Sequence, residues 1–234
     1  MITRIFHIIL AATAVFAFST ACADSKGTKP QWQEEFGISK CNLLTTGRNQ
    51  YQVLEPGFQL VLEGGGTKLQ ITVLNETRTV DGVATRVVEE KEWKDGQLYE
   101  IARNYFAICE QTKDVFYFGE DVDFYENGKV VKHDGSWLAG VNGNRAGLAM
   151  AGKPKLKMKY YQELAPGIAM DRAEIVSLDE TCKTPAGTFS RCMKVKEGSA
   201  IDITANEYKY YAPEIGLIRD EDLRLVKYGF IKDK

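Results

Sequence analysis

The chain has 234 residues, with 30 Lys and Arg against 32 Asp and Glu, so its net charge is −2. It carries no clustered basic face of the kind that nucleic acid requires, which excludes nucleic acid as a partner. Roughly 200 residues can bury about 70% of their unfolded surface, enough for one large core or two fused small ones.

Residues 1–23 read as a signal peptide. Arg4 is the only charge before Asp24, residues 5–18 are largely apolar, and Ala21-Cys22-Ala23 fits an A-x-A cleavage site. The stretch is short for a bilayer span, which needs roughly 20 apolar residues. Removing it with Arg4 leaves 29 basic against 32 acidic residues, a charge of −3. Thr20-Ala21-Cys22 also resembles a bacterial lipoprotein signal with Cys22 as the acylated residue, although Ser19 stands where that pattern usually has Leu. Both processing routes stay open. A single acyl chain anchors only loosely, so the second route implies full lipoprotein modification.

Residues 24–40 form a polar lead-in, with order expected from Trp32 to Ile38 and a short helix credible only near Gln31 to Phe36. Residues 41–234 read as one β domain. Phe58 to Leu62 leads through Gly64-Gly65-Gly66 into Lys68 to Val73, where Leu69, Ile71 and Val73 share one face of a half-buried strand. The glycines lack a following Lys-Ser/Thr and a helix, so they form a hairpin turn and not a phosphate loop. Asp81-Gly82 turns into Val83 to Glu90, and Asp95-Gly96 into Gln97 to Ile108. Asp114 to Phe118 and Val122 to Tyr125 follow, and Asn127-Gly128 predicts a two-residue hairpin before Lys129 to Lys132. The second half offers strands at Asp171 to Leu178, Met193 to Glu197, Asn206 to Tyr211, Gly216 to Arg219 and Leu223 to Tyr228.

The halves echo one another. Tyr51-Gln52-Val53-Leu54-Glu55-Pro56-Gly57 returns as Tyr161-Gln162-Glu163-Leu164-Ala165-Pro166-Gly167, an offset of 110. Leu74-Asn75-Glu76-Thr77 returns at Leu178 after 104 residues. Thr85 to Val88 and Tyr105 to Ala107 return at Ser190 and Tyr210 after 105. Such a period is too long for a solenoid and predicts a duplicated meander, with repeats at about 50–120 and 160–228. The fold class expected is all-β: two similar antiparallel halves forming a large curved sheet or open barrel.

Without Cys22, four cysteines remain, and an even count in an exported chain reads as a disulfide framework with three pairings. A five-residue loop from Pro185 to Phe189 would set Cys182 directly opposite Cys192, within disulfide reach. Elimination then pairs Cys41 with Cys109. No C-x-x-C pair or Cys/His cluster offers a metal site.

Residues 119–159 repeat least and hold a glycine-rich run with Trp137, Asn142 and Arg145. A run of this length in a compact domain is functional or disordered. Trp137, Asn142, Arg145 and His133 are therefore the candidate contact residues, packed over an end of the sheet. His133, the one histidine after residue 23, could serve a hydrolytic triad with Ser136 and a carboxylate, although no G-x-S-x-G elbow is present. A solvated turn is the bland reading. The acidic runs at residues 119–123 and 219–222 could bind Ca²⁺ but lack the usual loop pattern, so solvated turns are again the commoner explanation. The tyrosines at 160, 161, 208, 210 and 211 fit core or sheet-face packing better than a stacking platform.

Pro185-Ala186-Gly187-Thr188-Phe189 with Cys192, followed by Tyr210-Tyr211-Ala212-Pro213-Glu214-Ile215-Gly216-Leu217-Ile218, resembles a motif pair of an uncharacterised family of exported bacterial all-β proteins. Residues 117–123 resemble that family too, and no activity is attached to it. A looser similarity, at the level of fold alone, is to the half-barrels of periplasmic lipoprotein carriers. The function expected is that of a non-enzymatic cell-envelope protein, periplasmic or attached to the outer membrane of a bacterium. It would need no cofactor and would bind an apolar small molecule, a lipid or an envelope protein. The alternatives are a hydrolase using His133 and a purely structural surface component.

Overall fold

The computed structural model describes residues 32–231. The expected signal peptide at residues 1–23, with the candidate acylation residue Cys22, and residues 24–31 of the lead-in lie outside the described residues. Leu43–Leu44 (β1), Arg48–Asn49 (β2) and Gln52–Val53 (β3) belong to an N-terminal arm that starts with a 3-10 turn at Ile38–Lys40, slightly past the expected place. The first meander is Phe58–Gly64 (β4), Thr67–Val80 (β5), Val83–Lys94 (β6), Gln97–Cys109 (β7) and Val115–Glu126 (β8). Lys129–Lys132 (β9), Trp137–Leu138 (β10) and Arg145–Met150 (β11) extend it, followed by Lys159–Tyr161 (β12) and Glu163–Leu164 (β13). The second meander is Asp171–Thr184 (β14), Gly187–Ser199 (β15), Asn206–Ala212 (β16), Gly216–Asp220 (β17) and Leu223–Phe230 (β18).

These strands form one 16-stranded antiparallel sheet, apart from the small β2–β3 pair, and no α-helix occurs among the described residues. The local chemistry explains the hairpins. Gly65-Gly66, Asp81-Gly82, Asp95-Gly96 and Asn127-Gly128 all have positive φ at both central positions, the backbone that a two-residue turn between right-twisted strands needs. The two segments read separately around Gly119 are one strand, β8. Gly119 keeps it continuous at φ 132°, where a Cβ would lie 2.3 Å from the Trp137 carbonyl of β10.

The sheet curls until its ends almost meet. Strand β18 pairs with β4, so the C-terminal meander closes onto the first strand of the N-terminal one. The opposite seam is bridged by a single kinked stretch. Its first half, β12, pairs with β14, and its second half, β13, pairs with β11. Gln162 at the kink donates its N–H to Asp171 O at 2.7 Å. Gly147 faces this kink, and any Cβ there would lie 2.1 Å from the Gln162 carbonyl. The result is a nearly closed barrel with one incompletely sealed seam.

An eight-stranded barrel is filled by its own side chains, whereas a longer circuit leaves a lumen. Residues 45–57 plug one end of this one. Arg86, buried, reaches the arm from inside β6. It donates to Thr45 O (2.9 Å), Thr46 Oγ1 (2.9 Å), Leu74 O (3.2 Å) and Glu76 O (3.1 Å). Asn49, also buried, donates to Lys113 O and Ala151 O, and the Tyr51 hydroxyl donates to Arg191 O. A Cys41–Cys109 disulfide ties the arm to β7, as elimination had paired them.

Cys182 and Cys192 do not form the expected bridge. The hairpin turns on Pro185-Ala186 alone, so Thr184 faces Gly187 and Cys182 faces Phe189. Arg191, at φ 54°, and a register shift between Glu180 and Cys182 then bring Cys192 opposite Glu180. Both thiols are free and buried, and the Cys192 thiol donates to the Phe189 carbonyl at 3.5 Å.

Three of the four sequence echoes fall on matching strands. Residues 74–77 and 178–181 each lie at the register irregularity of the longest hairpins, β5–β6 and β14–β15. The next two pairs lie on β6 and β15 and on β7 and β16. The first echo differs. Tyr51 belongs to the plug, whereas Tyr161 lies in the seam against Trp32.

Candidate functional site: an acidic lumen

A cavity of about 450 Å³ lies inside the barrel, within the range that small-molecule sites occupy. Strand parity sets its lining. Leu69, Ile71 and Val73 point inward from β5, as their alternation predicted, and Phe58 and Leu60 do so from β4. Val88 and Glu90 follow on β6, then Glu100, Ala102, Asn104 and Phe106 on β7, and Tyr117 and Glu120 on β8. Met150, Glu163 and Asp171 line the seam side, and Glu197, Lys209, Tyr211, Leu217 and Asp220 the second meander.

The lining is graded along the barrel axis. The turns at residues 65–66, 95–96 and 221–222 share one rim, and the plug occupies the other. Glu100, Asp171, Glu197, Lys209 and Asp220 lie on the half toward the open rim, where Asp171 is exposed. Val53, Val73, Val88, Phe106, Ile215 and Leu217 lie toward the plug. The cavity thus has an apolar floor and an acidic upper half.

Seven carboxyl groups and one ammonium face this space. Lys209 is held by Glu197 and Glu207, each at 3.0 Å, and by Asp220 at 3.7 Å. Glu197 also accepts from Gln162 Nε2 and from the Tyr211 hydroxyl, both at 3.1 Å. Across the lumen the Tyr117 hydroxyl donates to Asn104 Oδ1, while Asn104 Nδ2 donates to Val88 O at 3.3 Å.

Burial among like charges disfavours ionisation. Desolvation first, then the Glu100, Asp220 and Glu197 charges against the opposing pull of Lys209, raises the Glu90 carboxyl to about 7. Desolvation, with Glu90 and Glu100 nearby, lifts Glu120 to about 8, although the neighbouring Tyr117 hydroxyl opposes the rise. Asp220 is raised to about 6 by burial, Lys209 opposing, and Glu163 stands well above the usual carboxylate range because of burial and then the Glu120 charge. Lys209 is held well above its ordinary value because its three carboxylates outweigh its own desolvation.

The residues singled out in the sequence do not line this cavity. Trp137 is buried, edge-on to Tyr117 at 5.5 Å between ring centres, and its indole N–H has no partner among the described residues. It packs behind the lumen wall and presents no contact surface. Asn142 lies at φ 54° in an exposed turn. Arg145, on β11, forms ion pairs with Glu34 and Glu35 of the lead-in. His133 is exposed, with Nδ1 2.7 Å from Asp123 Oδ1, while the Ser136 hydroxyl accepts from the Val122 N–H at 2.8 Å. No hydrogen bond, ion pair or ring contact joins any two of the four residues.

The acidic run at residues 119–123 is divided between faces. Glu120 turns into the lumen, Asp121 pairs with Arg78, and Asp123 pairs with His133. Among the described residues no cluster of three His, Cys, Asp or Glu side chains is arranged to hold a metal ion. Tyr160 and Tyr161 are buried, while Tyr208 lies exposed beneath Lys194. No family model, curated protein or solved structure matches the chain.

Proposed function

We propose that the protein is an exported, non-enzymatic carrier of the bacterial cell envelope that holds a small ligand with an apolar body in its barrel lumen. The observation that carries this reading is the 450 Å³ cavity, closed at one end by the plug and floored by aliphatic and aromatic side chains. A pocket of this size and composition suits a molecule whose surface is largely removed from water. The plug is fixed by a disulfide and by Arg86, so the cavity is preformed and little ordering opposes binding. The disulfide fits an oxidising compartment. The strand echoes on β5–β7 and β14–β16 support duplication of one meander as the origin of the lumen.

The test is native mass spectrometry of protein purified without detergent, followed by denaturation and organic extraction. A bound small molecule, or saturable uptake of an eight- to twelve-carbon probe with a rise in melting temperature, supports the carrier reading. An empty protein that takes up no such probe refutes it.

A further inference from the structure

We propose that the ligand carries an organic cation, an ammonium group on its apolar body, and that Glu163 is the counter-ion awaiting it. The proposal deepens the carrier reading and rests on it. Three glutamates are buried to nine-tenths or more, and their surroundings differ in one respect. Glu89, 7% exposed, is paired with Lys91 at 2.6 Å and Arg103 at 3.3 Å. Glu197, 9% exposed, has Lys209, Gln162 and Tyr211. Glu163, 8% exposed, lines the cavity and receives no hydrogen bond or ion pair from any described residue. Buried carboxylates are otherwise satisfied in folded proteins, because leaving one without a donor is costly. Its oxygens are not sealed from the cavity, so the donor that the protein does not supply comes from the lumen, as water in the empty protein and as the ammonium in the liganded one.

The neighbours lead to the same chemistry. Glu120 stands close enough for its charge to raise the Glu163 carboxyl further, so two acidic groups face the same part of the cavity. The single lysine of the lumen forms no ion pair with either, since its ammonium is engaged by Glu197 and Glu207, and only its longer-range charge reaches Glu163. A metal ion would need several ligands gathered at one point, and the described residues offer no such group of three. An ammonium needs only one or two carboxyl groups, which release their protons to solvent as the cation takes their place, and its alkyl portion would lie on the apolar floor.

The test is calorimetric titration of the purified full chain at pH 7.5 with octylammonium, octanol and octanoate, three probes that share one tail. The ammonium is expected to bind at least about tenfold tighter than the alcohol, the scale of one charge-assisted hydrogen bond, with the carboxylate weakest. Glu163→Gln is expected to erase most of that preference while leaving octanol binding unchanged. Equal binding of ammonium and alcohol, or preference for octanoate, overturns the cation and leaves the carrier reading standing. Binding of none of the three overturns both. Should Glu163→Gln fail to fold, the order of the three probes on the native chain decides the matter alone, with Glu120→Gln as the second variant.

Discussion

The lumen carboxyls make the unliganded protein less stable as pH rises, and Glu90 offers the cleanest test. Its folded pKa of about 7 exceeds the ordinary 4.5, so the native state holds this proton more tightly than the unfolded chain does. The stabilisation from that difference is complete below pH 4.5 and is lost as pH rises through 7. A displacement from 4.5 to about 7 corresponds to ~3 kcal/mol. Glutamine has nearly the same shape and no charge, so Glu90→Gln should match the native chain at pH 4.5 and exceed it by roughly 1–3 kcal/mol at pH 8. The lower figure allows for water reaching the lumen. Lys209 does not interfere, because its displaced ionisation lies above 10.5, and the Arg48–Glu55 pair acts only below 4.5. Urea unfolding of ligand-free protein at half-unit steps from pH 4.5 to 8 measures the difference directly. A variant that is less stable at pH 8, or whose pH slope equals that of the native chain, would show that Glu90 is already matched by a favourable partner. The account of an undercompensated acidic lumen would then be wrong.

Other consequences follow from the barrel's construction. Gly147→Ala places a methyl group 2.1 Å from the Gln162 carbonyl and should loosen the seam at a cost of about 2–4 kcal/mol, read from the urea midpoint. Cys41→Ala removes a cross-link spanning 68 residues and should cost about 4 kcal/mol, with faster proteolysis of residues 45–57 as a second readout. Thiol titration of unreduced, urea-unfolded protein should count Cys182 and Cys192 as free and leave Cys41 and Cys109 unreactive, and a titre below two for that pair contradicts the register of β14 on β15. Arg86→Met leaves the carbonyls of Leu74, Glu76 and Thr45 without their donor and should cost about 2–3 kcal/mol in thermal or urea unfolding.

What the sequence disclosed depended on the range of the interaction involved. The hairpins at Asp81-Gly82, Asp95-Gly96 and Asn127-Gly128 were legible because turn chemistry is confined to two residues. The inward face of β5 was legible because Leu69, Ile71 and Val73 alternate with polar residues. The carboxylates of the lumen were missed by the same logic, which sends every charge to solvent. The signal was nonetheless present: Glu90 shares the parity of Val88, and Glu100 that of Ala102, so a charge on the apolar face of a strand marked each. Glu120 and Asp220 drew notice only as members of acidic runs, whose neighbours in fact point elsewhere. The Cys182–Cys192 pairing failed because one left-handed residue, Arg191, shifts the register, and nothing in the residue type announces it. Closure through β12 and β13 was hidden as well, since it depends on partners distant in sequence.

The distribution of charge also argues against a purely structural barrel. Interior positions of a scaffold can be filled by apolar side chains of similar volume, commonly without loss of stability. This lumen instead keeps Glu90, Glu100, Glu120, Glu163 and Asp171 without a basic partner in ion-pair range among the described residues. Their placement is not random along the axis, for the floor beside the plug remains apolar. An amphiphile entering tail first would settle its alkyl chain on Val73, Val88 and Phe106 and bring its head level with Glu120 and Glu163. Replacing Glu90 and Glu163 together by leucine should therefore raise the melting temperature of the empty protein, the usual trade of function for stability. The same double variant should bind octanol at least as well as before and lose its preference for octylammonium. If it melts lower than the native chain, the two carboxylates are structural supports and the scaffold reading gains over the carrier.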